Sequence, residues 1–171
     1  MTRRRALWLT GLASLALFAV LTALDLRMRD AGGPGIVGFE LAGSEERAVG
    51  ILADWGAAGR DAARASLWID FPFLLAYGAF LTLAVAALRD LARRRGLGRL
   101  AAAGVGIVAL PATAAAFDAI ENVGLLVAVE GEGGDRAPLL ATVCASLKFV
   151  LLAIAIAYLA AVPIAARRAA G

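Results

Sequence analysis

PLLATVCASLKFVLLAIAIAYLAAV, residues Pro138–Val162, is an apolar run with a single charge in it, Lys148. As a helix it is long enough to cross a hydrocarbon core of about 30 Å. Lys148 is the only lysine of the chain; every other cation is Arg, and no His occurs. An ammonium at the centre of a membrane helix costs roughly 2.5–3.5 kcal/mol on insertion scales. Such a group needs an anionic partner, and the apolar parts of the chain offer Asp70, Asp118 and Glu121. The only Asn, Asn122, sits beside the last two, and there is no Gln.

Three further apolar segments have the length of membrane spans: Ala6–Leu24, about 67–88 and about 100–129. The chain is 61% hydrophobic with a mean hydropathy of +0.80, far above a soluble domain. The fold class read from this is all-α: a polytopic membrane bundle of four transmembrane helices, in one domain spanning residues 1–171. The basic run Arg3–Arg5 before Ala6–Leu24 resembles the start of a signal peptide. The apolar run is too long for that and has no clean small-residue cleavage site, so a retained helix is expected.

Charge gives the orientation. Arg3–Arg5 carry +3, the segment 89–99 carries +4, and Arg167 and Arg168 carry +2. The segment 25–66 has seven acids and five arginines, and 130–136 has three acids and one arginine. Basic residues collect on the side of the membrane facing the cytoplasm, so both termini are expected there. The pI of 9.7 then reflects topology and not nucleic-acid binding.

The first outer segment carries its own signals. Gly32-Gly33-Pro34-Gly35 ends anything continuing from the first helix. Ser44-Glu45-Glu46 is a helix start with an N-cap. Ala48, Ile51, Leu52 and Trp55 fall at i, i+3, i+4, i+7 and form one stripe. Short amphipathic helices are predicted at about 44–55 and 60–66, lying on the outer surface with Trp55 and Trp68 at headgroup level. Pro111, mid-way along 100–129, should kink that helix.

Depth arithmetic draws the ionisable groups together. Asp118 lies about 27 Å along a helix that starts at the inner side, and Lys148 about 15 Å along one that starts at the outer side. Asp118, Glu121 and Asn122 share a helix face at i, i+3, i+4. Asp70 and Tyr77 share a face of the second helix, with Tyr77 near the level of Lys148. Glu40, an acid among apolar neighbours just before these outer helices, which would form a lid, is a candidate addition. The expected ligand-binding or ion-pair cluster is thus Glu40, Asp70, Tyr77, Asp118, Glu121, Asn122 and Lys148. Cys144, the lone cysteine, lies one turn before Lys148. It reads as a small buried hydrophobe, with a thiolate activated by Lys148 as the alternative.

Without His, neither a His-ligated zinc or haem nor a serine–histidine hydrolase is available, and no metal or cofactor is implied. No phosphate-binding glycine motif occurs. Three functions remain. The leading one is an outward-facing intramembrane cavity that binds a small amphipathic or cationic molecule, with its movement left open. The second is a membrane enzyme using Asp118 and Glu121 as acid and base on a lipid-like substrate. The third is a structural or accessory subunit, alone, as an oligomer or with a partner membrane protein.

The strings Phe39-Glu40-Leu41-Ala42, Ser66-Leu67-Trp68-Ile69-Asp70-Phe71-Pro72-Phe73, Asp118-Ala119-Ile120-Glu121-Asn122 and Lys148-Phe149 resemble a group of uncharacterised bacterial four-helix integral membrane proteins. The resemblance spans most of the chain and implies the bacterial inner (cytoplasmic) membrane, but no chemistry. A looser likeness, of architecture only, is to the four-helix sterol-isomerase and sigma-2-receptor-like proteins, and it carries no residues over.

The charge pattern makes topology testable. A reporter fused after Gly171 is expected to read cytoplasmic, and one inserted near Gly33 external. The opposite pair of readings overturns the depth arithmetic.

Overall fold

A computed structural model describes residues 2–169 and contains only helices among them. The elements are α1 (Arg3–Asp30), α2 (Ile36–Glu40), α3 (Glu45–Arg94), α4 (Gly98–Ile107), α5 (Leu110–Val129) and α6 (Arg136–Arg168). Four helices are long and apolar enough to cross a membrane: α1, α3, α4 with α5 taken together, and α6. The helices alternate in direction, so the arginine-rich segments meet at one end. There Arg3 bonds Asp90 at 2.6 Å, and the Tyr158 hydroxyl donates to the Leu100 carbonyl at 3.0 Å. The opposite end, here the lid end, holds α2 and the start of α3. It is tied by Glu45 N to Asp135 at 2.8 Å and by Arg64 to Glu130 at 2.8 Å.

α3 is the hub. It packs along α1 on one side and along α5 and α6 on the other, and α5 and α6 pack closely on each other. α1 has no extended contact with α5 or α6. The α5–α6 seam is close because Gly124 faces Ala137 and Ala141; a Cβ there would lie 3.2 Å from the Ala137 carbonyl.

One residue breaks α3. Gly56 has φ 55° and ψ −158°, a conformation open in practice only to glycine, and it separates 45–55 from 57–94. The segment expected as a short helix at 60–66 is the first turns of the long helix that follows Gly56. Ser44 caps the start, its hydroxyl accepting from Arg47 N at 3.4 Å. Between α4 and α5 the break falls at 108–109. Pro111 takes the second position of α5, where its missing N–H costs nothing, so the chain restarts a helix there.

Trp55 departs from the expectation of a headgroup anchor. It is 1% exposed, its Nε1 donates to the Pro34 carbonyl at 2.7 Å, and its ring lies 5.0 Å from that of Phe39. Gly33 and Gly59 give it room, since a Cβ on either would collide with it. The stripe Ala48, Leu52 and Trp55 therefore turns into the bundle, where it meets Met28, Phe39 and Leu67. Trp68, by contrast, is 61% exposed. α2 is oriented by Asp25, which accepts from Ile36 N at 2.7 Å while Arg29 holds its other oxygen at 2.6 Å.

Away from the two ends, all four long helices leave large apolar side chains uncovered, among them Leu15, Leu75, Val105 and Val150.

The Gly56 geometry generates a paired prediction. Gly56→Val is expected to destabilise by roughly 1–3 kcal/mol, because the side chain is forced into a strained conformation. Gly50→Ala lies in an exposed helical turn with open space around its Cβ. It should stabilise by about 0.5–1 kcal/mol. Thermal unfolding in detergent reads both, and equal behaviour of the two variants contradicts the assignment of the break to Gly56.

Candidate functional site

The site grows from the seam between α5 and α6. Ala137, Ala141 and Ala145 are buried along one face of α6, and Lys148 is the next residue of that face. Small residues let the helix backbones approach, and the ammonium is thereby delivered onto the face of α5 that carries Asp118, Glu121 and Asn122. Lys148 Nζ donates to Asp118 Oδ1 at 2.9 Å and to the Glu121 carboxylate at 2.9 Å. Glu121 is 0% exposed, and Asp118, Asn122 and Lys148 are also buried. The ammonium further lies 4.9 Å from the ring centre of Phe149, a cation–π contact.

α3 supplies the next layer. The Tyr77 hydroxyl donates to Asp118 Oδ2 at 2.7 Å, so both oxygens of Asp118 accept a hydrogen bond. The spacing of seven residues that links Tyr77 to Asp70 is realised on the same wall. Asp70, half-buried, accepts from the Asn122 amide at 2.6 Å. Asn122 is thus a partner of Asp70 and not of its own helix neighbours.

α2 supplies Glu40. Its Oε2 lies 3.5 Å from Lys148 Nζ, and its backbone carbonyl accepts from the Thr142 hydroxyl at 2.8 Å. The short helix is therefore pinned to α6 by main chain and side chain together. Burial pushes the Glu40 carboxyl above its ordinary range, and Lys148 beside it opposes that shift. The structure brings all seven candidate residues into one constellation, with the ammonium where Glu40, Asp118 and Glu121 converge. Among the described residues no group of His, Cys, Asp and Glu is arranged to hold a metal ion. Cys144 is buried with a free thiol, and burial is its dominant environment.

Two oxygens of the constellation stand out. Glu40 Oε2 and Glu121 Oε2 are both buried and accept no hydrogen bond, although each faces the Lys148 ammonium, at 3.5 Å and 2.9 Å. Buried polar atoms are nearly always paired, so such a pair in one place calls for an explanation.

A cavity of about 550 Å³ abuts the constellation. Glu40, Asp70, Tyr77, Asp118 and Lys148 form its polar side, and Glu121 lies behind them, off the wall. The remaining wall is mostly apolar and comes from α1, α2, α3 and α6, including Phe18, Ile36, Phe73, Leu81, Leu152 and Ile156. α1 and α6 are not in extended contact, and Phe18, Phe149 and Ile156 are exposed, so the cavity opens sideways between these two helices. At the lid end its rim carries Asp25 and Arg29. Asp25, Arg29, Phe18, Phe73 and Phe149 were not among the residues expected to form the cluster. Nothing in their spacing distinguishes them from surface and core residues.

Comparison with protein-family models, with curated proteins and with solved structures returns no match for this chain.

The network has a measurable signature. Lys148→Met leaves several buried carboxyls without their cation and is expected to destabilise by about 3–5 kcal/mol. Adding Glu121→Gln to that variant should recover part of the loss, because it removes the excess negative charge. Unfolding in detergent measures both. If the double variant is no more stable than Lys148→Met alone, Glu121 is not held by Lys148.

Proposed function

We propose that this chain is an integral membrane protein whose lateral cavity binds a small molecule with an apolar body and a polar or cationic end. The observation that carries the reading is a roomy, apolar-walled cavity with buried carboxyls gathered at one side of it. Ligand sites have this character: mostly apolar walls with a few convergent polar groups. The bilayer is the natural surrounding. Four helices have the required length, and their uncovered Leu, Val, Ile and Phe side chains suit lipid better than water. The arginine end then faces the cytoplasm and the lid end faces outward in a bacterial inner membrane. In that orientation the polar side of the cavity lies in the outer half of the bilayer, and the gap between α1 and α6 opens to lipid.

The enzyme reading is weaker on geometric grounds. A general base needs a free oxygen within reach of its substrate. Both oxygens of Asp118 are engaged, and Glu121 is fully buried off the cavity wall. The accessory-subunit reading expects a dry and fully paired cluster. The two unpartnered oxygens and the open cavity argue against it. A second copy or a partner protein covering the gap remains compatible with ligand binding.

Two measurements test the reading. A molecule co-purifying with the protein, identified by mass spectrometry, is expected to be an amphiphile. Leu152→Trp, which fills the apolar part of the cavity, should remove that molecule while leaving thermal stability within about 1–3 kcal/mol, the usual cost of overpacking. Retention of the same molecule in Leu152→Trp moves its binding site elsewhere.

A further inference from the structure

The unpartnered oxygens of Glu40 and Glu121 carry the inference, which rests on the reading of the cavity as a ligand site. The two carboxyls converge on the same ammonium, with Oε2 of Glu40 at 3.5 Å and Oε2 of Glu121 at 2.9 Å from Lys148 Nζ, so they are close neighbours. Two bare carboxylates cannot satisfy one another, since each offers only acceptors. A proton on one makes it a donor to the other, and both oxygens are then paired. Charge points the same way. Glu40, Asp118 and Glu121 meet one ammonium in a poorly solvated place, with Asp70 close by on Asn122, and unbalanced charge there is costly. Like-charged carboxyls at close range share protons for this reason.

We propose that Glu40 and Glu121 hold one proton between them and that a cationic amphiphile entering the cavity takes its place. The balance is simple: one cation enters, one proton leaves to the solvent, and no covalent bond changes. Both occupants relieve the same excess of negative charge, so they exclude each other. Glu40 is on the cavity wall and Glu121 behind it, so the ligand meets the shared site through Glu40.

The wall is suited to an alkylammonium or similar soft cation. Phe73 lies 5.1 Å from Tyr77 and 6.2 Å from Phe18 between ring centres, and all three rings line the cavity with Asp70 and Asp118. Aromatic faces beside carboxylates attract such cations. Asp70 to Leu81 along α3 spans about 16 Å, which gives an apolar tail room to run toward Leu152 and Ile156.

Other charged or titratable groups face the pair from every neighbouring element. They are Asp25 and Arg29 of α1 at the rim, Asp70 and Tyr77 of α3, Asp118 of α5, and Lys148 and Cys144 of α6. Of these, Lys148 donates to Asp118 and to Glu121, Tyr77 donates to Asp118, and Asp70 accepts from Asn122. Asp25 and Arg29 bond each other. Of these carboxyls, Glu40 and Glu121 contribute the buried oxygens that accept no hydrogen bond and have only the shared Lys148 ammonium beside them.

The experiment uses the full-length protein in a non-ionic detergent with tetraphenylphosphonium, a permanently charged lipophilic cation that has no proton of its own. In weak buffer with a pH indicator, binding is expected to release about one proton per probe. Affinity should rise with pH, approaching tenfold per pH unit where the shared proton is held. E40Q and E121Q should abolish the release and flatten the pH dependence. Should either variant fail to fold, the wild-type infrared difference spectrum serves instead, and a protonated-carboxyl band should be lost when the probe binds. Binding with constant affinity and no proton release overturns the exchange and leaves the cavity as a ligand site. Absence of binding across the pH range overturns the exchange and the cationic ligand together. Release that persists in both E40Q and E121Q places the proton on another group.

Discussion

The Lys148 ammonium has to be neutralised wherever the fold puts it, and most of the tertiary structure near the lid end follows from how that is done. A buried cation without partners costs several kcal/mol. Pairing with Asp118 and Glu121 requires α5 to present both on one face and α6 to come close, and the i, i+3 spacing and the small residues Gly124, Ala141 and Ala145 meet those two requirements. Asp118 then needs a donor for its second oxygen, and Tyr77 ties α3 into the seam. Glu40 completes the set from a five-residue helix that is also held by Asp25 and by Phe39 packed on Trp55. Part of the lid's attachment therefore runs through the site, by Glu40 to Lys148 and by the Glu40 carbonyl to Thr142.

Much of this was legible because the residues involved are singular in their surroundings. A lone Lys, a lone Asn and two acids in otherwise apolar segments mark themselves, and rise per residue brings them to a common depth. The pairing inside the cluster was not legible. Asn122 is a helix neighbour of Asp118 and Glu121 in the sequence, yet it serves Asp70 across the bundle, because Lys148 and Tyr77 have already taken the Asp118 oxygens. Trp55 misled for a related reason. An amphipathic stripe shows that one face is covered but not by what, and the same stripe suits a membrane surface or a core made with Met28, Phe39 and Leu67. The helix break at Gly56 was signalled by glycine. That the chain would resume one long helix directly afterwards was not, since the Asp61 region fits a cap and a helix interior equally.

The gap between α1 and α6 could not have been read from sequence at all. Both helices are apolar nearly all round, so neither carries a stripe that says which neighbour it faces. α1 is the least enclosed of the long helices: its only extended packing is on α3, and among its residues only Leu24 and Met28 are buried, both near the lid end. Its anchor at that end is the Asp25–Arg29 pair that also caps α2. The rim of the cavity, the start of the lid and the fixed end of α1 are thus one structural unit.

That unit bears on why the cavity can persist. A closed apolar void of this size would be expensive, at roughly 24 cal/mol per Å³ by the scaling found for buried cavities. In the bilayer setting proposed above, a cavity open along one side carries no such cost, because acyl chains or a ligand tail can occupy it. The polar side is different, since acyl chains cannot satisfy carboxyl oxygens. Asp70 and Asp118 accept hydrogen bonds from the protein, whereas Glu40 Oε2 accepts none, has only the Lys148 ammonium at 3.5 Å, and belongs to a residue that lines the cavity. The same physics that makes the apolar wall indifferent to its occupant makes the Glu40 corner selective. On the proposed reading, a proton or the positive end of a ligand answers both the missing hydrogen bond and the excess of carboxyls around a single ammonium.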